Sequence, residues 1–90
     1  MPSRRVTIRN ELGLHARTAT QLVECANSFA CDIWMSHEQR RVNGKSIMGI
    51  LTLAAGPGME VALETRGEDE RQALAALTEL IESGFGEPEI

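Results

Sequence analysis

The 90-residue chain is 42% hydrophobic and has a formal net charge of −4, as expected for one small globular domain spanning residues 1–90. Its aromatic residues, Phe29, Trp34 and Phe85, are too few for a surface that stacks nucleic-acid bases. No apolar run is long enough for a signal sequence or a membrane span, so we expect a cytoplasmic protein that binds neither nucleic acid nor membrane.

The charge is distributed unevenly along the chain. Residues 1–45 contain seven Lys and Arg against four Asp and Glu, whereas residues 46–90 contain two against nine. The first half is therefore basic and suits an acidic or phosphorylated partner.

The first predicted elements are a strand and a helix. Val6 and Ile8 alternate with polar residues, which predicts a half-buried strand over about residues 4–9. A helix over about residues 16–27 is predicted by apolar residues at the spacing of one buried face: Ala19, Leu22, Val23 and Ala26. His15 is expected near the N-cap of that helix, at the end of the intervening loop.

The position of His15 at the start of a helix suits a reaction with an anionic group. The first N–H groups of a helix lack intrahelical partners and carry partial positive charge, so they bind anions readily. The N–H groups of Ala16, Arg17 and Thr18 and the forked guanidinium of Arg17 are candidate phosphate donors. The same positive environment favours a neutral imidazole, whose free nitrogen can attack. The pattern predicts a histidine that accepts a phosphoryl group, although an ordinary helix cap or surface histidine has the same local signature.

The middle of the chain predicts a β-hairpin. Ile33 and Met35 alternate with polar neighbours in a second strand, a turn follows at residues 37–39, and a third strand covers residues 40–42. Trp34 falls on the opposite face from Ile33 and Met35, where it is either exposed on an open sheet face or covered by a partner, and we expect plain exposure.

A short apolar helix should begin after Ser46, which is a favoured N-cap residue. Ile47, Met48 and Leu51 cannot all point inward from so short a helix. At least one should therefore be exposed in an apolar docking patch beside His15, and Met48 is the best candidate because methionine adapts to several partners.

The last part of the chain predicts a fourth strand and a third helix. Val61 and Leu63 alternate with polar residues after a turn at residues 56–58. Asp69 and Gln72 have the spacing of a capping pair for a helix whose apolar face is formed by Ala73, Leu74, Leu77, Leu80 and Ile81.

The resulting order, β-α-β-β-α-β-α, predicts an α+β fold. Each strand has one apolar face, and helices must cover those faces. We therefore expect an open-faced β-sandwich in which three helices cover one side of a four-stranded antiparallel sheet.

Two cysteines raise a different possibility. Five residues separate Cys25 from Cys31, which is neither a CxxC redox motif nor a zinc-ligand pair, and His37 has no partner at ligand spacing. We therefore predict no metal and no cofactor, and a redox or metal protein using Cys25 and Cys31 is the weakest alternative.

Two segments resemble a known family. Residues 13–19, Gly-Leu-His-Ala-Arg-Thr-Ala, resemble the active-site loop Gly-Leu-His-Ala-Arg-Pro-Ala of the HPr phosphocarrier family of the bacterial phosphotransferase system, with Thr18 replacing the proline. Residues 43–49, Asn-Gly-Lys-Ser-Ile-Met-Gly, resemble the family's second signature around its regulatory serine, here Ser46. The end of the chain, residues 82–87, is similar to the tail of nitrogen-branch members.

The resemblance implies a strand order of 1-4-2-3 and a phosphoryl relay. Enzyme I, phosphorylated by phosphoenolpyruvate, passes the group to Nδ1 of His15, and a IIA-type protein removes it, in sugar uptake or in nitrogen or carbon regulation. Arg17 assists, an HPr serine kinase modifies Ser46 in some members, and we expect a monomer. Thr18 restores an N–H that proline lacks, and its β-branch should change the surface beside His15. The alternative is a non-catalytic HPr-like regulatory module that acts by protein binding under control at Ser46.

Overall fold

The computed structural model describes residues 1–88, and residues 89 and 90 of the predicted domain lie outside the described part. The strands and helices follow the predicted order: β1 Ser3–Thr7, α1 Ala16–Asn27, β2 Asp32–His37, β3 Arg40–Asn43, α2 Ile47–Thr52, β4 Glu60–Arg66 and α3 Glu70–Glu82. A 3₁₀ turn, Gly84–Gly86, follows α3.

The four strands form one antiparallel sheet in the order β1-β4-β2-β3, which confirms the predicted fold. Val6 lies opposite Val61, and Met35 lies opposite Leu63, so the apolar residues of neighbouring strands share one face. Because side chains alternate along a strand, this register directs all of these residues towards the helices.

The core lies between that face of the sheet and the three helices. Its largest fully buried apolar side chains come from both layers: Ile8, Leu22, Met35, Ile50, Val61, Leu63, Leu77 and Ile81. Burying one such side chain contributes about 1.5–3 kcal/mol, so aliphatic packing supplies the core in a chain with few aromatic residues.

The first strand ends earlier than predicted. Ile8 is fully buried, but it lies beyond β1 because its N–H donates to the carbonyl of Met59 at 2.8 Å and its carbonyl accepts from Gly58 at 2.8 Å. The main chain of Ile8 thus forms its hydrogen bonds with the segment that leads to β4 and not with a strand of the sheet. The alternation of apolar residues therefore continues past the end of β1.

Asp69 does not form the predicted capping pair with Gln72. Its carboxylate instead accepts hydrogen bonds from the N–H groups of Ala30 and Cys31, each at 2.9 Å. The hydrogen bond from Ala30 is the main cause that lowers the pKa of Asp69. The carboxylate turns away from its own helix because Asp69 has a non-extended backbone, with φ −104° and ψ 29°, and so it joins α3 to the start of β2.

Trp34 is half-buried, and the predicted plain exposure is wrong. The guanidinium of Arg41 lies 4.4 Å from the centre of its ring and also contacts Glu64 at 3.1 Å. Neighbouring strands therefore cover the indole with a cation–π contact that the sequence pattern does not reveal.

The described helices are all too short or too polar to cross a membrane.

Candidate functional site

The loop before α1 is held in place by its neighbours. Gly13 has a φ of +68°, and a Cβ there would lie 2.8 Å from Cα of Gly56, so glycine is required at this position. Leu14 donates its N–H to the carbonyl of Ala55 at 3.0 Å, and the amide of Asn10 donates to the carbonyl of Gly13 at 2.8 Å. These contacts fix the segment that ends at His15.

Thr18, which follows His15 in the first turn of α1, also fixes the backbone of His15. Its side chain is fully buried, its Oγ1 accepts the N–H of His15 at 3.1 Å, and its hydroxyl lies 3.0 Å from the carbonyl of Gly13. The expectation that the β-branch of Thr18 changes the surface beside His15 is wrong, because this side chain points into the protein. The phosphate-binding role of the Thr18 N–H stays a prediction.

His15 is the N-cap of α1, and its two ring nitrogens have different partners. Nδ1 accepts a hydrogen bond from the N–H of Arg17 at 3.3 Å, whereas Nε2 lies 3.1 Å from Oε1 of Glu87. This network assigns the proton to Nε2 and leaves the lone pair of Nδ1 at the N-terminus of the helix. The side chain of His15 is 30% exposed, so a reaction partner can reach it.

Glu87 is the site residue that the sequence pattern does not identify. Its side chain is only 9% exposed, and its Oε1 also accepts a hydrogen bond from the buried amide of Asn10 at 3.0 Å. The hydrogen bond from His15 is the main cause that holds the pKa of Glu87 below its usual range. The only sequence signal for this contact is the similarity of residues 82–87 to a family tail, since no local spacing links positions 72 residues apart.

Arg17 is more exposed to solvent than His15, which lies two residues before it. Its side chain is 76% exposed, and its Nε lies 3.9 Å from Oε2 of Glu87. The guanidinium therefore lies beside Glu87, which contacts the His15 ring, without being buried in a fixed ion pair. Together with the exposed helix start at Ala16, it leaves an anion cradle open to solvent.

Ser46 is the N-cap of α2, as predicted, and its Oγ accepts the N–H of Gly49 at 3.0 Å. Beyond it, Met48 is 72% exposed, Ile47 is 38% exposed, and Leu51 is half-buried. The expected exposure of at least one apolar side chain is therefore confirmed. Because α1 and α2 pack against each other, the helix that carries these side chains lies beside the helix that His15 caps.

The cysteines lie in environments that suppress thiol chemistry. Cys31 is buried and Cys25 is half-buried, and burial raises the pKa of both thiols. A protonated thiol is a poor nucleophile and a poor metal ligand, which counts against the redox alternative. Among residues 1–88, no cluster of three His, Cys, Asp or Glu side chains is placed to hold a metal.

Known proteins resemble this chain in sequence and in fold. A family model described as the PTS HPr component phosphorylation site matches residues 2–83. Phosphocarrier protein HPr of Neisseria meningitidis is 48% identical over 84 residues, which are 93% of this chain and 94% of the relative. Phosphocarrier protein HPr of Cupriavidus necator is 49% identical over 89 residues, which are 99% of this chain and 100% of the relative. A crystal structure of HPr from Thermoanaerobacter tengcongensis superposes with a TM-score of 0.93 at 45% identity, over 97% of this chain and 98% of that one.

Proposed function

The chain belongs to the PTS HPr family, and from that premise we propose that it is a phosphocarrier that acts on Nδ1 of His15. It takes a phosphoryl group from phosphorylated Enzyme I and passes it to a IIA-type protein, in sugar uptake or in nitrogen or carbon regulation. The observation that carries the proposal is the ring of His15, whose Nε2 faces Glu87 while the lone pair of Nδ1 lies at the start of a helix.

The transfer needs positioning and charge stabilisation more than further covalent chemistry. The lone pair of Nδ1 attacks phosphorus, and the donor's bond to phosphorus breaks with its electron pair returning to the donor. The incoming phosphoryl oxygens displace the hydrogen bond from the Arg17 N–H to Nδ1, so that N–H becomes available to them. The helix start and the exposed guanidinium of Arg17 supply the remaining positive charge, and a partner supplies what this small site lacks.

The carrier function is tested by incubating the protein with phosphoenolpyruvate and a cognate Enzyme I. We expect acid-labile, base-stable phosphate on His15 and its loss when a IIA-type protein is added. A protein that binds these partners but never becomes labelled is the non-catalytic regulatory module instead. We further propose that the carrier acts in the cytoplasm as a monomer. Sedimentation of the purified protein tests the monomeric state.

The docking patch formed by Ile47, Met48 and Leu51 gives one prediction. Met48→Asp should weaken binding of Enzyme I or a IIA-type protein about tenfold or more, because a charge must then be desolvated in an apolar contact. Titration calorimetry measures the affinity. The matched control, Gln72→Asp, adds the same charge at an exposed position of α3 and should leave binding unchanged. Equal affinities for Met48→Asp and the parent would contradict the docking role.

Ser46 gives a regulatory prediction. Phosphorylation of Ser46, or its weaker mimic Ser46→Asp, should slow labelling of His15 several-fold, because negative charge beside Met48 opposes an acidic partner. Aspartate is also a good N-cap, so the free energy of unfolding should change by less than about 0.5 kcal/mol.

Ser46→Asn is the matched control because asparagine caps a helix equally well and adds no charge. Labelling kinetics and melting curves should show a slow Asp variant beside a normal Asn variant. Equal slowing in both variants, or normal labelling in both, would show that Ser46 is only a helix cap.

A further inference from the structure

A buried hydroxyl bridges two main-chain groups of the loop that leads into α1. The side chain of Thr18 is fully buried, and its Oγ1 accepts the N–H of His15 at 3.1 Å. A hydroxyl has one proton to donate, and the carbonyl of Gly13 at 3.0 Å is a nearer acceptor than the carbonyl of His15 at 3.3 Å. One side chain in the first turn of the helix thus holds the chain on both sides of Leu14.

These contacts determine the direction in which the side chain of His15 leaves the backbone. Its N–H is held by Thr18, and its carbonyl accepts the N–H of Ala19 at 2.8 Å. The φ of −124° and the ψ of −176° at His15 are therefore set by main-chain contacts on both sides of its Cα atom. The ring can then rotate only about its own side-chain bonds, and the N–H of Arg17, 3.3 Å from Nδ1, selects one position for that nitrogen.

Phosphoryl transfer depends on that direction. The lone pair of Nδ1 must face phosphorus opposite the donor's bond, so a loop that lets the backbone of His15 turn spends less time in a reactive geometry. Without the hydroxyl, the N–H of His15 loses its acceptor, and an unpaired main-chain N–H favours rotation of its peptide towards water or another acceptor. Proline, the residue of the family loop, has no hydroxyl, so this bridge depends on the threonine at position 18.

We propose that Thr18 is a positioning residue for phosphoryl transfer, whose hydroxyl fixes the backbone of His15 so that Nδ1 is aligned before a partner docks. This role rests on the carrier function proposed above. The hydrogen bonds of the hydroxyl go to main-chain groups, so it acts through the backbone and takes no part in making or breaking bonds to phosphorus. Because the side chain is fully buried and offers no surface to a partner, its loss should lower the rate of transfer and leave the affinity unchanged.

The test uses Thr18→Val, which keeps the shape of the side chain and removes its hydroxyl. The matched control is Thr65→Val, since Thr65 is also fully buried and its hydroxyl donates to the carbonyl of Glu70 at 2.8 Å. Thr65 lies at the start of β1, where its N–H donates to the carbonyl of Pro2 at 3.2 Å, whereas the loop to His15 follows the end of that strand. Both variants lose one buried hydrogen-bonding hydroxyl, but only Thr18→Val loses it beside His15.

Quench-flow experiments follow the labelling of His15 over a range of concentrations of phosphorylated Enzyme I, at a temperature where melting curves show that every variant is folded. In Thr18→Val, we expect the maximal labelling rate to fall roughly tenfold while the half-saturating concentration stays the same. Thr65→Val should be labelled like the parent although its melting temperature falls. Thr18→Ser keeps the hydroxyl and should recover most of the rate.

An unchanged maximal rate in Thr18→Val overturns the role of Thr18, including the case in which only the half-saturating concentration rises and the defect lies in docking. Equal slowing in Thr65→Val also overturns it, because the loss then follows stability alone. If Thr18→Val does not fold, Thr18→Ser is compared with Thr18→Ala, which lacks the hydroxyl, and equal rates in these two variants overturn the role. A parent protein that is never labelled on His15 overturns the carrier function itself, so the two failures are distinguishable.

Discussion

We expect His15→Ala to abolish phosphoryl labelling while the protein remains folded. Alanine has no nucleophilic nitrogen with which to attack phosphorus. The cost to the fold comes from the cap that Nδ1 provides to the N–H of Arg17, about 1 kcal/mol, and from the lost contact between Nε2 and Glu87, whose carboxylate keeps its hydrogen bond from Asn10. The hydroxyl of Thr18 still accepts the N–H of residue 15, which is a main-chain group that the substitution keeps.

Labelling with Enzyme I and phosphoenolpyruvate, together with a melting curve, measures both effects. The matched control is His37→Gln, which changes the other histidine and leaves a side-chain donor for the carbonyl of Glu60, 3.0 Å from Nδ1 of His37. This variant should be labelled like the parent. Full labelling of His15→Ala, or its unfolding, contradicts the assignment of His15 as the acceptor.

Arg17→Ala should slow the labelling of His15 about 10- to 100-fold, while stability changes little. Removing one well-placed donor to a developing oxyanion costs about 10²–10³ in rate in a closed site. A smaller loss is expected here because the guanidinium is 76% exposed, which weakens its field through solvent screening, and the main-chain N–H groups remain.

Arg17→Lys separates charge from geometry. Lysine keeps the positive charge but lacks the forked donors that match phosphate oxygens, so the rate should recover only in part. Stopped-flow or quench-flow labelling at saturating Enzyme I gives the rates. The Met48→Asp variant is the control that shows how the labelling rate changes when only docking is impaired. Equal rates for Arg17→Ala and the parent would remove Arg17 from the phosphate cradle.

Much of the fold could be predicted from the sequence because its elements have clear local periods. The β-α-β-β-α-β-α order and the N-cap positions of His15 and Ser46 depend on residues within a few positions of each other. Strand order is different, since β1 pairs with β4 across more than 50 residues and only the family resemblance indicated that pairing.

Three of the failed predictions share a physical cause. Ile8, Trp34 and Asp69 each have a non-local partner that overrides the local pattern: the Met59 segment, the Arg41 guanidinium and the N–H groups at the start of β2. Alternation and capping signals describe what one segment prefers by itself. They do not report which distant group satisfies a carboxylate, an indole face or a main-chain N–H.

The sequence alone was enough to propose His15 as the reactive group, because a histidine, an arginine and a helix start within three positions form a local constellation. Which ring nitrogen is free follows only from the folded protein, since it depends on the carboxylate of Glu87, 72 residues from His15, and on the buried amide of Asn10 that supports it. Helix dipoles and caps follow from neighbouring residues, whereas the position of a proton on an imidazole follows from whatever acceptor the folded chain places against it.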